Sequence, residues 1–243
     1  MSFDYVIVGA GSAGAVLAHR LSEDPGVRVC LIEAGPRDRS PLIRVPLGVM
    51  VLARDRRHNW LYTSAPQEGL NGRQVSIPRG KVLGGSSAIN GMIYIRGHRA
   101  DYDGWAALGC AGWDYASLLP YFRRSEGNDD PSMDDSFHGR DGPLSVTSLR
   151  DASPVDRDFI EAAGQMQIRA CADFNAPEPE GVGLYQVTQK DGKRHSTAEA
   201  FLKPIRARQN LHVETGLEVT RVSVAEGRAT GIQIGRASCR ERV

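Results

Sequence analysis

Three features of the sequence predict an α/β fold. An apolar run near the N-terminus ends in a glycine-rich turn, a helical stripe of small and apolar residues follows, and a second apolar run ends in an acid. Tyr5-Val6-Ile7-Val8 reads as a short buried strand, and Gly9-Ala10-Gly11-Ser12-Ala13-Gly14 satisfies G-x-G-x-x-G. Residues 13 to 21 have helical spacing, and residues 27 to 32 form the second strand, closed by Glu33. Strand, turn, helix and strand in that order supply the βαβ context that gives the glycine motif its meaning.

Each position in the turn has a physical reason. Gly9 makes the tight turn, Gly11 lets backbone approach a pyrophosphate, and Gly14 lets the helix pack on the strand. The opening residues of the helix, Ser12 and Ala13, offer backbone N–H groups and the positive end of the helix dipole to an anion. Glu33 can accept from both hydroxyls of a ribose, and its charge repels a 2′-phosphate, which argues against NADP. These residues predict an adenine dinucleotide site and leave NAD and FAD as alternatives.

A second glycine-rich stretch follows at residues 79 to 97, RGKVLGGSSAINGMIYIRG. A nicotinamide cofactor has no need of a second close approach in the same unit. A flavin is larger, and its N1–C2 edge becomes negative on reduction, so a turn of Gly and Ser opening a helix would set N–H groups against it. Gly85 and Ser86 sit in that turn, and Asn90 could add a side-chain amide at the ring edge. The competing reading is a tight packing turn.

The totals bound the rest. The chain has 243 residues, 41% apolar and 24% charged, with a formal net charge of +1. That balance lacks the basic footprint of a nucleic-acid binder, so none is expected as a partner. No apolar run is long enough to span a bilayer, and strand-like sequence from Phe3 leaves no room for a signal peptide. Cys30, Cys110, Cys171 and Cys239 are far apart, which fits reduced thiols in a cytoplasmic protein, with peripheral membrane association also compatible. No metal site is expected.

The run from Gly80 to Gly91, GKVLGGSSAING, resembles the first signature of the glucose–methanol–choline (GMC) flavoprotein oxidoreductases. MIYIRGHRADYDGWAALG, GWDY, LLPYFRRSE, NWLYTSAPQ, HGRDGPL, DFN and HSTAEAFL resemble its choline-dehydrogenase-like branch, in the family's order and over about residues 3 to 232. The resemblance implies a Rossmann-like FAD-binding domain, with Val82 and the Asn90-Gly91-Met92-Ile93 segment lining the flavin. It implies that Val219 contacts the adenine through its backbone. Some members attach FAD covalently through a histidine near the Ser-Ser pair; Ile89 stands at that place, so FAD is expected to bind non-covalently. The implied reaction is oxidation of a small-molecule alcohol, choline being the first candidate, with oxygen, a quinone or a cytochrome as electron acceptor. Family members are about twice this length, and their histidine base lies in the second half, so no catalytic residue is assigned here.

The expected organisation is α/β, with an α+β beginning of a second domain. Residues 1–148 would form the FAD-binding domain, 149–192 would begin the substrate domain, and 193–234 would return to the first. Residues 155 to 164 read as an amphipathic helix. LHVETGLEVTRVSV, at 211 to 224, alternates as a strand pair does, and AEGR turns it into a return strand ending at Ile234. The remainder, 235–243, matches neither period and is expected to be a non-native tail. Asp129, Asp130, Asp134 and Asp135 lack calcium-loop spacing and read as a solvated loop. The basic run at 54 to 58 reads the same way, with Trp60 as its packing anchor, and His98 and His195 read as structural residues. Two rival readings are a nicotinamide-dependent dehydrogenase and a truncated chain that binds FAD without catalysis.

Overall fold

A computed structural model describes residues 2–236. The chain folds as two compact units, one from residues up to Gly91 together with those from Lys193, the other from Met92–Gly192.

In the first unit, β1 (Tyr5–Val8) and β2 (Val29–Glu33) pair in parallel around α1 (Ser12–Leu21), and Leu211–Thr215 pairs in parallel on the other side of β2. The order β1-β2-Leu211–Thr215 makes β2 central, and all five of its residues are buried. The first strand was expected to be buried, yet only Ile7 is; an edge strand has no neighbour to cover its outer side. The helix buries Gly14, Ala15 and Ala18, whose small side chains let it lie close to the sheet.

Past Gly216, whose φ of +76° turns the chain, Leu217–Ala225 and Arg228–Arg236 form an antiparallel hairpin. Glu226 and Gly227 both have positive φ, as the two-residue turn of a right-twisted hairpin requires. The return strand was expected to end at Ile234. It runs on to Arg236 because Gly235 and Arg236 still pair with Glu218 and Leu217. The rest of the expected tail lies outside the described residues.

The second unit mixes helices with short strand pairs. Ile93–Tyr94 pairs with Gln186–Val187, and Glu126–Asn128 pairs with Leu144–Val146. The first of these ladders ties residues 92–148 to residues 149–192, and the unit Met92–Gly192 spans the expected division at 148/149. The helix expected at 155 to 164 spans Pro154–Gln165, started by Ser153 and Asp156 in a reciprocal capping box. His98 caps Arg99–Ala107 in the same way, accepting from the Ala100 N–H at 3.1 Å.

The core of the second unit is ionic. His138 Nδ1 lies 2.6 Å from Glu126 Oε1, and Nε2 lies 2.9 Å from Asp173 Oδ2. Arg96 pairs with the other Glu126 oxygen, and Asn128 donates to Glu126 Oε1 at 2.7 Å. Burial opposes a charge on His138, but the Asp173 and Glu126 hydrogen bonds outweigh it and hold its pKa up at about 9. The acidic loop nearby is organised by its own turns. Asp130 accepts from Ser132 and Ser148, Asp134 from the Ser136 N–H, and Asp135 pairs with Arg140 at 2.6 Å. Among the described residues, no helix is long and apolar enough to cross a membrane.

Candidate cofactor site

The first glycine turn is built as its sequence requires. Gly9 has a φ of +91°, and a Cβ on Gly14 would stand 2.0 Å from the Gly9 carbonyl oxygen. Gly11 is the N-cap of α1 and has no side chain to cap it, and the first turn carries no acid. The helix therefore opens with its N–H groups and dipole unopposed.

Glu33 closes the turn from the end of β2. Its Oε2 accepts from the Ala10 N–H at 2.9 Å and its Oε1 from the Gly35 N–H at 2.8 Å. Burial raises its pKa, against the two backbone hydrogen bonds and the nearby Lys81 charge. Each oxygen keeps a second lone pair for a ligand hydroxyl.

The second glycine turn lies directly against the first. The Gly84 N–H donates to the Ala10 carbonyl at 2.8 Å, and a Cβ on Gly85 would come within 2.6 Å of the Gly11 Cα. Gly84 and Gly85 have φ values of +89° and +54°, so both occupy the left-handed region. The turn was expected to open a helix. It opens only the 3₁₀ turn Gly85–Ala88, because the Ser87 hydroxyl donates back to the Gly84 carbonyl and the chain turns away after Ile89. Backbone N–H groups, without a helix dipole behind them, are what this turn offers.

Between the two turns lies a cleft of about 480 Å³, within the usual range for cofactor sites. Gly9, Gly11, Ser12, Glu33, Gly85, Ser86 and Val219 line it. Ala13 sits exposed in the first turn of α1 and Gly14 is buried behind it. Val82 is fully buried in an apolar cluster with Ile43, Leu52, Ala88 and Ile89, so its side chain serves the core. Asn90 and Gly91 are exposed at the end of the turn, whereas Met92 and Ile93 belong to the second unit.

Sequence reasoning missed Arg79, Gly80, Leu217 and Glu218 in this lining, and gave Trp60 only a packing role. The Trp60 ring stacks on Tyr62, and Lys81 Nζ stands 4.1 Å from its centroid. The signal was available: Trp60 and Arg79 lie in stretches singled out above, but neither has a side-chain type that specifies dinucleotide binding. Of the basic run, Arg57 and His58 line a different cleft with Arg37 and Arg39. His58 is buried with Nδ1 2.5 Å from Asp55.

Comparison with known proteins agrees with this geometry. The chain is 46% identical to an alcohol dehydrogenase [acceptor] of Pseudomonas putida, over 99% of this chain and 44% of the relative. It is 44% identical to an oxygen-dependent choline dehydrogenase of Rhizobium etli, over 100% and 44%. It is 43% identical to the mitochondrial choline dehydrogenase of Homo sapiens, over 95% and 40%. Among solved structures, pyridoxine 4-oxidase from Mesorbium loti superposes with a TM-score of 0.92 at 37% identity, covering 98% of this chain and 47% of that one. An FAD-dependent oxidoreductase from Chaetomium thermophilum gives 0.91 at 31%, covering 98% and 43%. The chain thus spans less than half the length of these relatives. The GMC oxidoreductase family profile matches residues 3–242, and the chain belongs to that family.

Proposed function

We propose that this chain is the FAD-binding part of an oxidoreductase acting on CH–OH groups. The observation that carries the reading is the apposition of two glycine turns across one cleft, with an uncapped helix N-terminus and the Glu33 carboxylate on its wall. The α1 N-terminus and Gly11 would take the pyrophosphate, Glu33 the ribose, and the Leu217–Val219 backbone the adenine. Gly85, Ser86, Asn90 and Gly91 would face the flavin. When bound, FAD would accept the hydride from the alcohol carbon at its N5.

The base that takes the alcohol's hydroxyl proton is assigned to none of these residues. A choline- or alcohol-type substrate is the first expectation, supported by the relatives' names. Non-covalent attachment is supported by Ile89, which has no nucleophile and is itself buried in the apolar cluster.

The test is reconstitution of the purified chain with FAD, followed by gel filtration and acid precipitation. A yellow protein that releases all its flavin into the acid supernatant is expected. Colourless protein that retains NAD instead would overturn the reading, and flavin that stays with the precipitate would overturn non-covalent binding.

A further inference from the structure

Arg194 is 3% exposed, and among the described residues no carboxylate pairs with it. Its Nε donates to the Ile43 carbonyl at 2.8 Å, and its Nη1 donates to the Ser87 carbonyl at 3.2 Å and to Asn90 Oδ1 at 2.8 Å. Its Nη2 is buried with no hydrogen-bond partner. Burial alone pulls its pKa down to about 10, which still leaves it charged at neutral pH. A buried cation held only by neutral oxygens carries a large desolvation penalty, and the common remedy is a carboxylate.

The position of this charge gives the penalty a purpose. Ser87 and Asn90 belong to the second glycine turn, and the segment after Arg194 clamps the same turn. The Thr197 N–H donates to Ser87 Oγ at 3.0 Å, and the two hydroxyls lie 2.9 Å apart. Only the oxygen of an amide can accept from a guanidinium, so Arg194 also sets which way the Asn90 amide points.

We propose that Arg194 is a positioning residue of this turn, whose buried, carboxylate-free charge favours the reduced flavin over the oxidised one. The inference rests on the reading of the cleft as an FAD site. Reduction puts negative charge on the pyrimidine edge of the ring, and a fixed cation one side chain behind the turn stabilises that state more than the neutral one. Asn90 transmits the orientation and Arg194 supplies the charge.

The test uses the full chain loaded with FAD. Flavin fluorescence quenching gives the affinity for the oxidised cofactor, and spectroelectrochemical titration against a reference dye gives the midpoint potential. Arg194→Gln should lower the preference for reduced flavin about tenfold, equal to about 30 mV in a two-electron couple. Arg194→Lys, which keeps the charge, should stay within about threefold of the parent. If the Gln variant does not fold, Arg194→Met takes its place, since it removes the charge and keeps a long side chain in the buried space; the potential should fall as far. An unchanged potential in the Gln or Met variant, or an equal fall in the Lys variant, overturns the inference while leaving FAD binding intact. Failure of the parent chain to bind FAD overturns the reading of the cleft instead, and the inference with it.

Discussion

Replacing Gly85 by alanine puts a single methyl group where two backbones meet. The new Cβ would stand 2.6 Å from the Gly11 Cα, closer than any side-chain carbon packs, and neither neighbour is a flexible side chain that could swing away. Gly85 also has a φ of +54°, where a residue with a Cβ is disfavoured by about 1 kcal/mol. Overpacking adds about 1–3 kcal/mol, so the expected destabilisation is about 3 kcal/mol. In a chain of this size that is a fall in Tm of roughly 6–12 °C. The assay is thermal unfolding by circular dichroism, with FAD affinity measured alongside; affinity should fall as the turns are forced apart. Gly104→Ala is the matched control. Gly104 lies inside the helix Arg99–Ala107 with nothing within 4 Å of its new Cβ, so it should raise stability by about 0.5–1 kcal/mol. A Gly85→Ala protein that melts within a degree of the parent and binds FAD equally well would refute the claim that close approach of the two turns builds the cleft.

Two further outcomes are expected. The folded-state pKa of His138 is raised from 6.5 to about 9, so its contribution is full below pH 6.5 and is lost as pH rises through about 9. It amounts to on the order of 3 kcal/mol and should appear as a falling Tm across that window; a His138→Gln variant should melt lower at pH 6 and lose the alkaline slope. Glu126 and Asp173 are shifted the other way, against the burial that raises them, by hydrogen bonds to His138. Their share is present above about pH 4 and is lost as pH falls further. A flat Tm profile between pH 6 and 9 in the parent would contradict the ionic description of this core. Glu33→Gln should weaken both the fold and the site. Its NH₂ would face the Ala10 or Gly35 N–H, leaving donors unpaired at about 1–3 kcal/mol, and one ribose acceptor would be gone. FAD affinity by fluorescence titration should drop at least tenfold, and unchanged affinity would remove Glu33 from the site.

Much of the first unit was legible because backbone geometry wrote it into glycine. Gly9 has a left-handed φ and a Cβ on Gly14 would strike the Gly9 carbonyl, whereas Gly11 has room for a Cβ, 3.8 Å from the Gly85 Cα. The acid closing β2 is placed by strand length. The hairpin turn at Glu226-Gly227 was legible for the same reason. What the local sequence could not show was the number of neighbours. Tyr5–Val8 has the apolar run of a buried strand but lies at an edge, and an edge is a property of the sheet. The lining by Trp60, Arg79, Leu217 and Glu218 depends on long-range folding in the same way.

The motifs that carried the family resemblance divide into two physical kinds, and the second kind is easily mistaken for chemistry. In the first unit, GKVLGGSSAING and NWLYTSAPQ reach the cleft, and HSTAEAFL holds the second glycine turn through Thr197. Those of the second unit converge on each other: Arg96 comes from MIYIRG, Glu126 from LLPYFRRSE, His138 from HGRDGPL and Asp173 from DFN. All four meet in one buried network in which both imidazole nitrogens face carboxylates. An imidazole so held is a fixed cation and has no lone pair with which to take a proton from a substrate. A histidine in a family motif therefore invites a catalytic reading that its surroundings rule out, since its two carboxylates keep it protonated near neutral pH. Buried charge is put to opposite uses in the two units. Around His138 the ions satisfy one another and fix the fold, whereas Arg194, among the described residues, is left without a counter-ion beside the turn that would meet the flavin.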